Sequence, residues 1–235
     1  MLKKLLLVIV LLIVAGSLFF AFQFMNSGSD SGLENQTVLL LAVDPGEQRP
    51  GMGGVDMAFA LEVEGRNIKK ITPIYPGGLY HPTQEAPPEI KAQGLNQLVM
   101  HDSLWDADPE VGAKLAQEIV EYHTGIKTDT VIIVNPTAVD ALIQAVGPVN
   151  VPGRGMVSGN SIEFLRYEQT EGMSRGNAVE SLMRPIFEKA QDEQNFMALS
   201  RVAIEQYLQG NIAVVPQDQV LKFALANGLG YFFNK

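Results

Sequence analysis

The stretch Thr37-Val-Leu-Leu-Leu-Ala-Val-Asp44 decides how this chain is read. A short apolar run bounded by turn residues is the pattern of a strand buried on both faces. The loop that follows, residues 45–54, is rich in Pro and Gly and carries Glu47 and Arg49. Asp56 then leads into Met57-Ala-Phe-Ala-Leu-Glu-Val63, and the turn Glu64-Gly-Arg-Asn67 into Ile68-Lys-Lys-Ile-Thr-Pro-Ile74. Three such runs joined by Gly-containing turns make the centre of a sheet. Asp44 closes the first strand and Asp56 opens the second. Both carboxylates therefore stand where a central strand meets its loop, the usual place for a ligand site in an open α/β sheet.

Upstream, Lys3 and Lys4 precede an uncharged run, residues 5–24, built of Leu, Val, Ile and Phe. A helix of about 20 apolar residues spans the hydrocarbon core of a bilayer. A cleaved signal peptide has a shorter apolar region, about 7–15 residues, followed by a small-residue cleavage site. Here Ala21 and Ser27 make a poor site and Phe19, Phe20, Phe22 and Phe24 crowd the exit. The run is expected to be an uncleaved transmembrane helix. Two lysines before it, with no basic residue soon after, orient the N-terminus to the cytoplasm and the body outside. Residues 25–36 form a polar, flexible Gly/Ser linker. It ends in Asn35-Gln-Thr37, a glycosylation tripeptide. The expected organisation is an anchor (1–24), a linker (25–36) and one extracytoplasmic domain (37–235).

The formal charge is −9, but all 26 acidic residues lie beyond the apolar run, against 15 of the 17 basic ones, which leaves −11 there. That balance argues against nucleic acid and against a face pressed onto anionic lipid. The chain has no cysteine, so the domain relies on its apolar core and not on disulfides.

Downstream, the Pro/Gly-rich segment 75–89 reads as a long loop. Asp108-Pro109 starts a helix, with Asp as cap and Pro at the first position. Its expected buried stripe is Val111, Leu115, Ile119 and Tyr122, and Gly125 ends it. Thr130-Val-Ile-Ile-Val134 is a further interior strand, and Asn135-Pro136 caps a helix with Val139, Leu142 and Ile143 inward. A short strand Val149-Asn-Val151 follows, then a helix over 161–169 and another from Ser174, kinked or restarted at Pro185. An amphipathic helix over 196–208, a late strand over 212–215 and a terminal helix over 218–227 complete the chain. Strands and helices interleave, which predicts an α/β domain with a central sheet covered on both faces.

Several chemistries lack their pattern. His81, His101 and His123 have no zinc-site spacing and read as surface histidines. His101, Asp102, Asp106 and Asp108 surround Trp105 without the Gly and distal Glu of a calcium loop, so they read as a cap-rich loop. No Gly-x-Ser-x-Gly elbow occurs. Pro50-Gly-Met-Gly-Gly54 lacks the Gly-Lys-Ser/Thr of a P-loop, though its backbone N–H groups could face an anion.

The order of charged residues is more telling. Asp44 follows the first strand and Asp56 opens the second. A Pro76-Gly-Gly-Leu-Tyr80 turn follows the third, Arg166 lies in Glu163-Phe-Leu-Arg-Tyr167, and Arg175 begins the next helix. This succession resembles the LytR-CpsA-Psr family of membrane-anchored, extracytoplasmic phosphotransferases, mainly in topology and motif order. Over nearly the whole domain the chain is similar to an uncharacterised archaeal family of membrane-anchored proteins, a domain of unknown function associated with methanogens. Val55-Asp-Met-Ala-Phe59, Tyr75-Pro-Gly-Gly78, His101-Asp-Ser-Leu-Trp105 and Ala113-Lys-Leu-Ala-Gln-Glu-Ile-Val-Glu-Tyr122 carry that likeness.

The phosphotransferase resemblance implies a three-layer α-β-α fold with a mixed central sheet. It also implies acidic residues on Mg²⁺, arginines on a polyprenyl pyrophosphate, and an envelope glycan as the group passed on. Hard cations take carboxylates, and fixed positive charge stabilises a transferring phosphoryl group. Asp44 and Asp56 match the acidic positions, and Arg166 and Arg175 match two of the arginines. Gly54, Gly77 and Ala178 stand where that family has arginine, and Arg49 could compensate for one of them. Each lost charge-assisted contact is worth about 1.5–3 kcal/mol. The reading is accordingly a binding domain at the envelope, with Asp44, Arg49, Asp56, Arg166 and Arg175 as ligand residues and Asp44 and Asp56 as Mg²⁺ ligands. The alternative is an Mg²⁺-dependent phosphotransferase. A third reading has the aspartates merely capping turns.

Protease added to intact cells is expected to digest the domain from about residue 37 onward. Complete protection in sealed right-side-out vesicles would overturn this topology.

Overall fold

A computed structural model describes residues 35–47, 49–64 and 67–233, without the side chains at 162, 166, 169, 175 and 231. The apolar run 5–24 lies outside these residues. Among those described, no helix is long and apolar enough to cross a membrane.

A five-stranded mixed sheet runs through the middle in the order β3-β2-β1-β6-β9. Here β1 is Gln36–Asp44, β2 is Gly54–Glu64, β3 is Asn67–Ile74, β6 is Thr130–Val134 and β9 is Ile212–Val215. The first three strands form an antiparallel meander. Strand β6 adds to β1 in parallel, and β9 adds antiparallel to β6. A parallel neighbour needs a crossover connection, and the chain between β3 and β6 supplies it. The edge strand β3 carries Lys69 and Lys70 and contains Pro73, features that blunt an exposed edge.

Alternation along the strands splits the core in two. Val38, Leu40, Ala42, Met57, Phe59 and Leu61 face one side. Leu39, Leu41, Val43, Val55, Ala58 and Ala60 face the other. The second side is covered by helix α2 (Pro109–Thr124), which is preceded by the short α1 (Pro88–Lys91). The first is covered by α3 (Pro136–Val146), α4 (Ser161–Thr170), α5 (Arg175–Lys189) and α6 (Glu193–Leu208). Helix α7 (Asp218–Ala226) packs Ala224 with Ile204 of α6 and Leu229. The expected three-layer α/β architecture with a mixed sheet is present.

Two expectations need correction, and a third narrows to one of its alternatives. The buried face of α2 is Gly112, Ala113, Ala116, Ile119 and Val120, whereas Val111 and Tyr122 are 42% and 57% exposed. The helix turns its small residues to the sheet because close approach leaves little space. A Cβ on Gly112 would lie 2.8 Å from the Leu104 side chain. The segment 75–89 is not wholly loop: Tyr80–Glu85 forms β4, paired with β5 (Gln97–Val99). Helix α5 runs through Pro185 without a restart. A second two-stranded piece, β7 (Val149–Val151) with β8 (Gly155–Val157), follows α3.

Replacing Ala116, which is fully buried, with Leu is expected to destabilise the domain by about 1–3 kcal/mol in urea titrations through overpacking. Val111→Ser should stay within about 0.5 kcal/mol of the parent. Equal effects at the two positions would contradict the observed helix orientation.

Candidate functional site

The two aspartates reach one place through a defect in strand pairing. Val43 pairs with Val55 and Ala42 with Met57, so Asp56 is an extra residue on β2, inserted between two register pairs. A β-bulge of this kind re-aims a side chain. Met57 faces the helix-rich side of the sheet and Val55 the α2 side, so the side-chain alternation changes phase at Asp56. Along β1, alternation carries Asp44 to the same side as Leu40 and Ala42. Asp44 and Asp56 both line a cleft of about 90 Å³ there.

Ala42 and Val43 of β1 line it as well, and the rest of the lining comes from four further elements. The end of β6 and the start of α3 give Val134, Asn135, Pro136 and Val139, and α4 gives Ser161 and Leu165. Helix α5 contributes Val179, Leu182 and Met183. Asn135 caps α3, accepting from the Ala138 N–H at 3.0 Å, and its amide donates to Asn211 Oδ1 at 3.0 Å. The Ser161 N–H donates to Asp140 at 2.8 Å, tying the start of α4 to α3. The cleft is thus an apolar slot with two carboxylates at the loop end of the central strands. Among the described lining residues there is no lysine or arginine.

Asp44 also has a local duty. Its Oδ1 accepts from the Gly46 N–H at 2.8 Å, which starts the loop, and a Cβ on Gly46 would come within 2.9 Å of that oxygen. Arg166 and Arg175 lie on α4 and α5, beside Leu165 and one turn before Val179 in sequence. Their side chains fall outside the described residues.

Arg49 does not line the cleft. Its guanidinium is clasped by Glu47 and by the buried Asp102, and its side chain is 9% exposed. His101 completes the cluster, donating from Nδ1 to the Val55 carbonyl at 2.8 Å, with Nε2 at 2.7 Å from Glu47 Oε2. This cluster fixes the 45–54 loop against the segment after β5. Gly51 allows the contact, since its Cβ would stand 2.1 Å from the Leu104 carbonyl oxygen. Gly54 faces the cluster itself, and a Cβ there would lie 2.3 Å from Arg49 Nη1. Burial pushes the Glu47 carboxyl up, but the bonds from Arg49 and His101 outweigh it and hold it below the usual range.

The histidines are not bare surface groups. His81 is 5% exposed, accepts from the Thr83 and Gln84 N–H groups at Nδ1, and meets Glu118 at 2.7 Å through Nε2. His123 packs edge-on against Tyr80. Asp108 caps α2 as expected, accepting from the Glu110 N–H at 2.9 Å. No cluster of three or more metal-ligating residues occurs among the described residues. The sequence showed Glu47, Arg49, His101 and Asp102, but gave no sign that residues some fifty positions apart would pair.

The family described as a protein of unknown function, DUF4012, matches residues 34–169. Among curated proteins, none matches. Among solved structures, Bacillus subtilis TagV aligns at TM-score 0.53 and 12% identity, over 85% of this chain and 80% of that one. Protein gbs0355 from Streptococcus agalactiae aligns at 0.52 and 13%, over 87% and 77%. A LytR-Csp2A-Psr enzyme from Actinomyces oris aligns at 0.46 and 13%, over 87% and 79%. For TagV and gbs0355 the likeness is one of fold.

A carboxylate whose folded pKa is depressed contributes stability above its unfolded pKa and loses it as pH falls through the folded value. Melting temperature is therefore expected to fall on acidification below about pH 4.5, the ordinary value for Glu47. Glu47→Gln should lower the melting temperature at pH 7 and flatten that acid limb. Arg49→Met, which leaves the buried Asp102 unpaired, should cost about 3–5 kcal/mol.

Proposed function

The chain belongs to the DUF4012 family, and from that membership and the cleft we propose a membrane-anchored, extracytoplasmic domain that binds a phosphorylated envelope ligand without transforming it. The observation that supports this reading best is the convergence of Asp44 and Asp56 on one apolar cleft by way of the bulge. Two carboxylates suit Mg²⁺, which keeps several waters and completes its shell with phosphate oxygens. They are too few oxygen ligands for calcium and the wrong type for structural zinc. Asp44 and Asp56 would hold the ion, and the bound ion would supply positive charge facing a phosphate. The apolar wall from β6, α3, α4 and α5 suits the phosphate-proximal carbons of a polyprenyl phosphate or of a lipid-linked glycan, the rest of the chain lying outside a cleft of about 90 Å³. Residues 5–24 belong to this proposal as the anchor, with the N-terminus in the cytoplasm, and so does an archaeal, methanogen-type source.

Binding ranks above transfer because position 54 is closed. The resemblance puts an arginine there, yet the Arg49 guanidinium already stands beside Gly54 and is held by two carboxylates. Arg49 is thereby part of the loop's own support. The second reading, an Mg²⁺-dependent phosphotransferase acting on a polyprenyl-pyrophosphate-linked glycan, is favoured by the same aspartate pair on a fold like that of TagV.

A ligand specific to the native state raises the melting temperature. Mg²⁺ together with a polyprenyl phosphate is expected to raise it in the parent, while Asp44→Asn and Asp56→Asn abolish the Mg²⁺ contribution. No shift with any cation or phosphorylated lipid would overturn the binding reading. Transfer of the glycan phosphate from polyprenyl pyrophosphate to an acceptor hydroxyl, with polyprenyl monophosphate released, by the parent but not by Asp56→Asn would establish the transferase instead.

A further inference from the structure

The end of the domain opposite the cleft carries an aromatic cluster that neither reading uses. Strand β1 starts at that end, and its register places Val38 beside Thr130 of β6. The chain entry is tied down there. Thr37 donates to Asp129 at 2.8 Å, Asp129 returns a backbone bond to Thr37 at 2.8 Å, and Thr130 donates to the Gln36 side chain at 2.8 Å. Helix α2 ends at the same place, five residues before β6 starts. On its last turn Tyr122, 57% exposed, stands 6.3 Å from Tyr80, itself 37% exposed, and both rings pack on His123. His123 Nε2 also lies 2.8 Å from the Tyr80 carbonyl, which fixes β4 to the helix end. Two tyrosines are thus held firmly and left open to solvent.

We propose that this tyrosine pair rests in the lipid–water interface of the bilayer that holds the chain's own N-terminal run, and so sets the tilt of the domain. The inference rests on the anchored reading above. On that reading, a Gly/Ser-rich stretch of the eleven residues between the anchor and β1 would reach roughly 18 Å as a coil, which would keep the entry to β1 close to the membrane. Tethering of this kind gives a high effective concentration, and weak contacts then suffice. Tyrosine favours the interface because its ring is apolar and its hydroxyl stays wet. Apart from Asp129, whose carboxylate accepts from the Thr37 N–H, the neighbouring charges are paired. Glu121 meets Lys127 at 3.3 Å, and Glu118 meets His81 at 2.7 Å and Lys114 at 3.9 Å. The rim is close to neutral, which fits a zwitterionic surface and not an anionic one. Docking here turns the cleft, at the far end of β1, away from the bilayer surface.

The test exploits the absence of cysteine. The full chain carries one fluorophore, at Lys127→Cys beside the cluster or at Gln209→Cys near the opposite end, in phosphatidylcholine vesicles with a headgroup-level nitroxide quencher. Flotation with the vesicles tests the anchor separately, and failure to float overturns the anchored reading and this inference with it. In floating protein, quenching at 127 is expected to exceed that at 209 at least threefold. Tyr80→Ser with Tyr122→Ser should bring it down to the level at 209, and Tyr122→Trp should preserve it. Equal quenching at the two sites, or quenching at 127 unchanged by the double serine variant, would overturn the inference. Protection of Lys127→Cys in native membranes without quenching in lipid vesicles would also overturn it and identify a protein partner.

Discussion

Strand β1 has no free side. It is hydrogen-bonded to β2 and β6 along both edges and covered by packed side chains on both faces. A strand in that position tolerates no charge until it leaves the sheet, because an unpaired buried ion is costly. Its first charged residue, Asp44, therefore marks where the sheet ends and the loops begin. The cleft lies there because this is where polar groups become affordable.

The same constraint explains why the bulge matters. Without the extra residue, Asp56 would continue the alternation of Ala58 and Ala60 and point toward α2, into a tightly packed layer. With it, Asp56 joins Asp44 on the helix-rich side. The loop between them is then held by a different set of charges. Arg49 takes Glu47 and Asp102, His101 takes Glu47, and Gly51 and Gly54 leave the room they need. Two groups of charge sit on neighbouring faces of one loop. One supports the backbone, and the other faces the cleft.

The fold was legible wherever burial acts on both faces of an element. β1 and β6 are continuous apolar runs, and Asp108-Pro109 and Asn135-Pro136 announce the starts of their helices through local capping bonds. What was not legible depended on close packing. The inward face of α2 is made of glycine and alanine, which carry weak apolar signals, so the larger Val111 and Tyr122 misled the periodicity. β4 contains Pro82 and polar residues, and only its pairing with β5 and the His81 bonds reveal a strand. For the site, Asp44 and Asp56 were visible as strand-end carboxylates, while Arg49 could be assigned to ligand or to scaffold only by its partners. No sequence rule links a loop arginine to an aspartate fifty-three positions later.

The division of the domain into two ends follows from the parallel pairing of β1 and β6. Parallel strands start at one end and finish at the other, so their entry points and their loops cannot mix. Gln36 and Thr130 stand at the end where β1 and β6 begin, together with the close of α2 and its tyrosines. Asp44, Asn135 and the bulge lie at the end where they finish. Nine residues of strand separate the two by roughly 30 Å. On the anchored reading proposed above, a ligand carried by a lipid would have to extend that far from the bilayer or be lifted from it. On that reading the apolar wall of the cleft would reduce the cost of lifting, since it gives the nearest hydrocarbon an apolar surround in place of water.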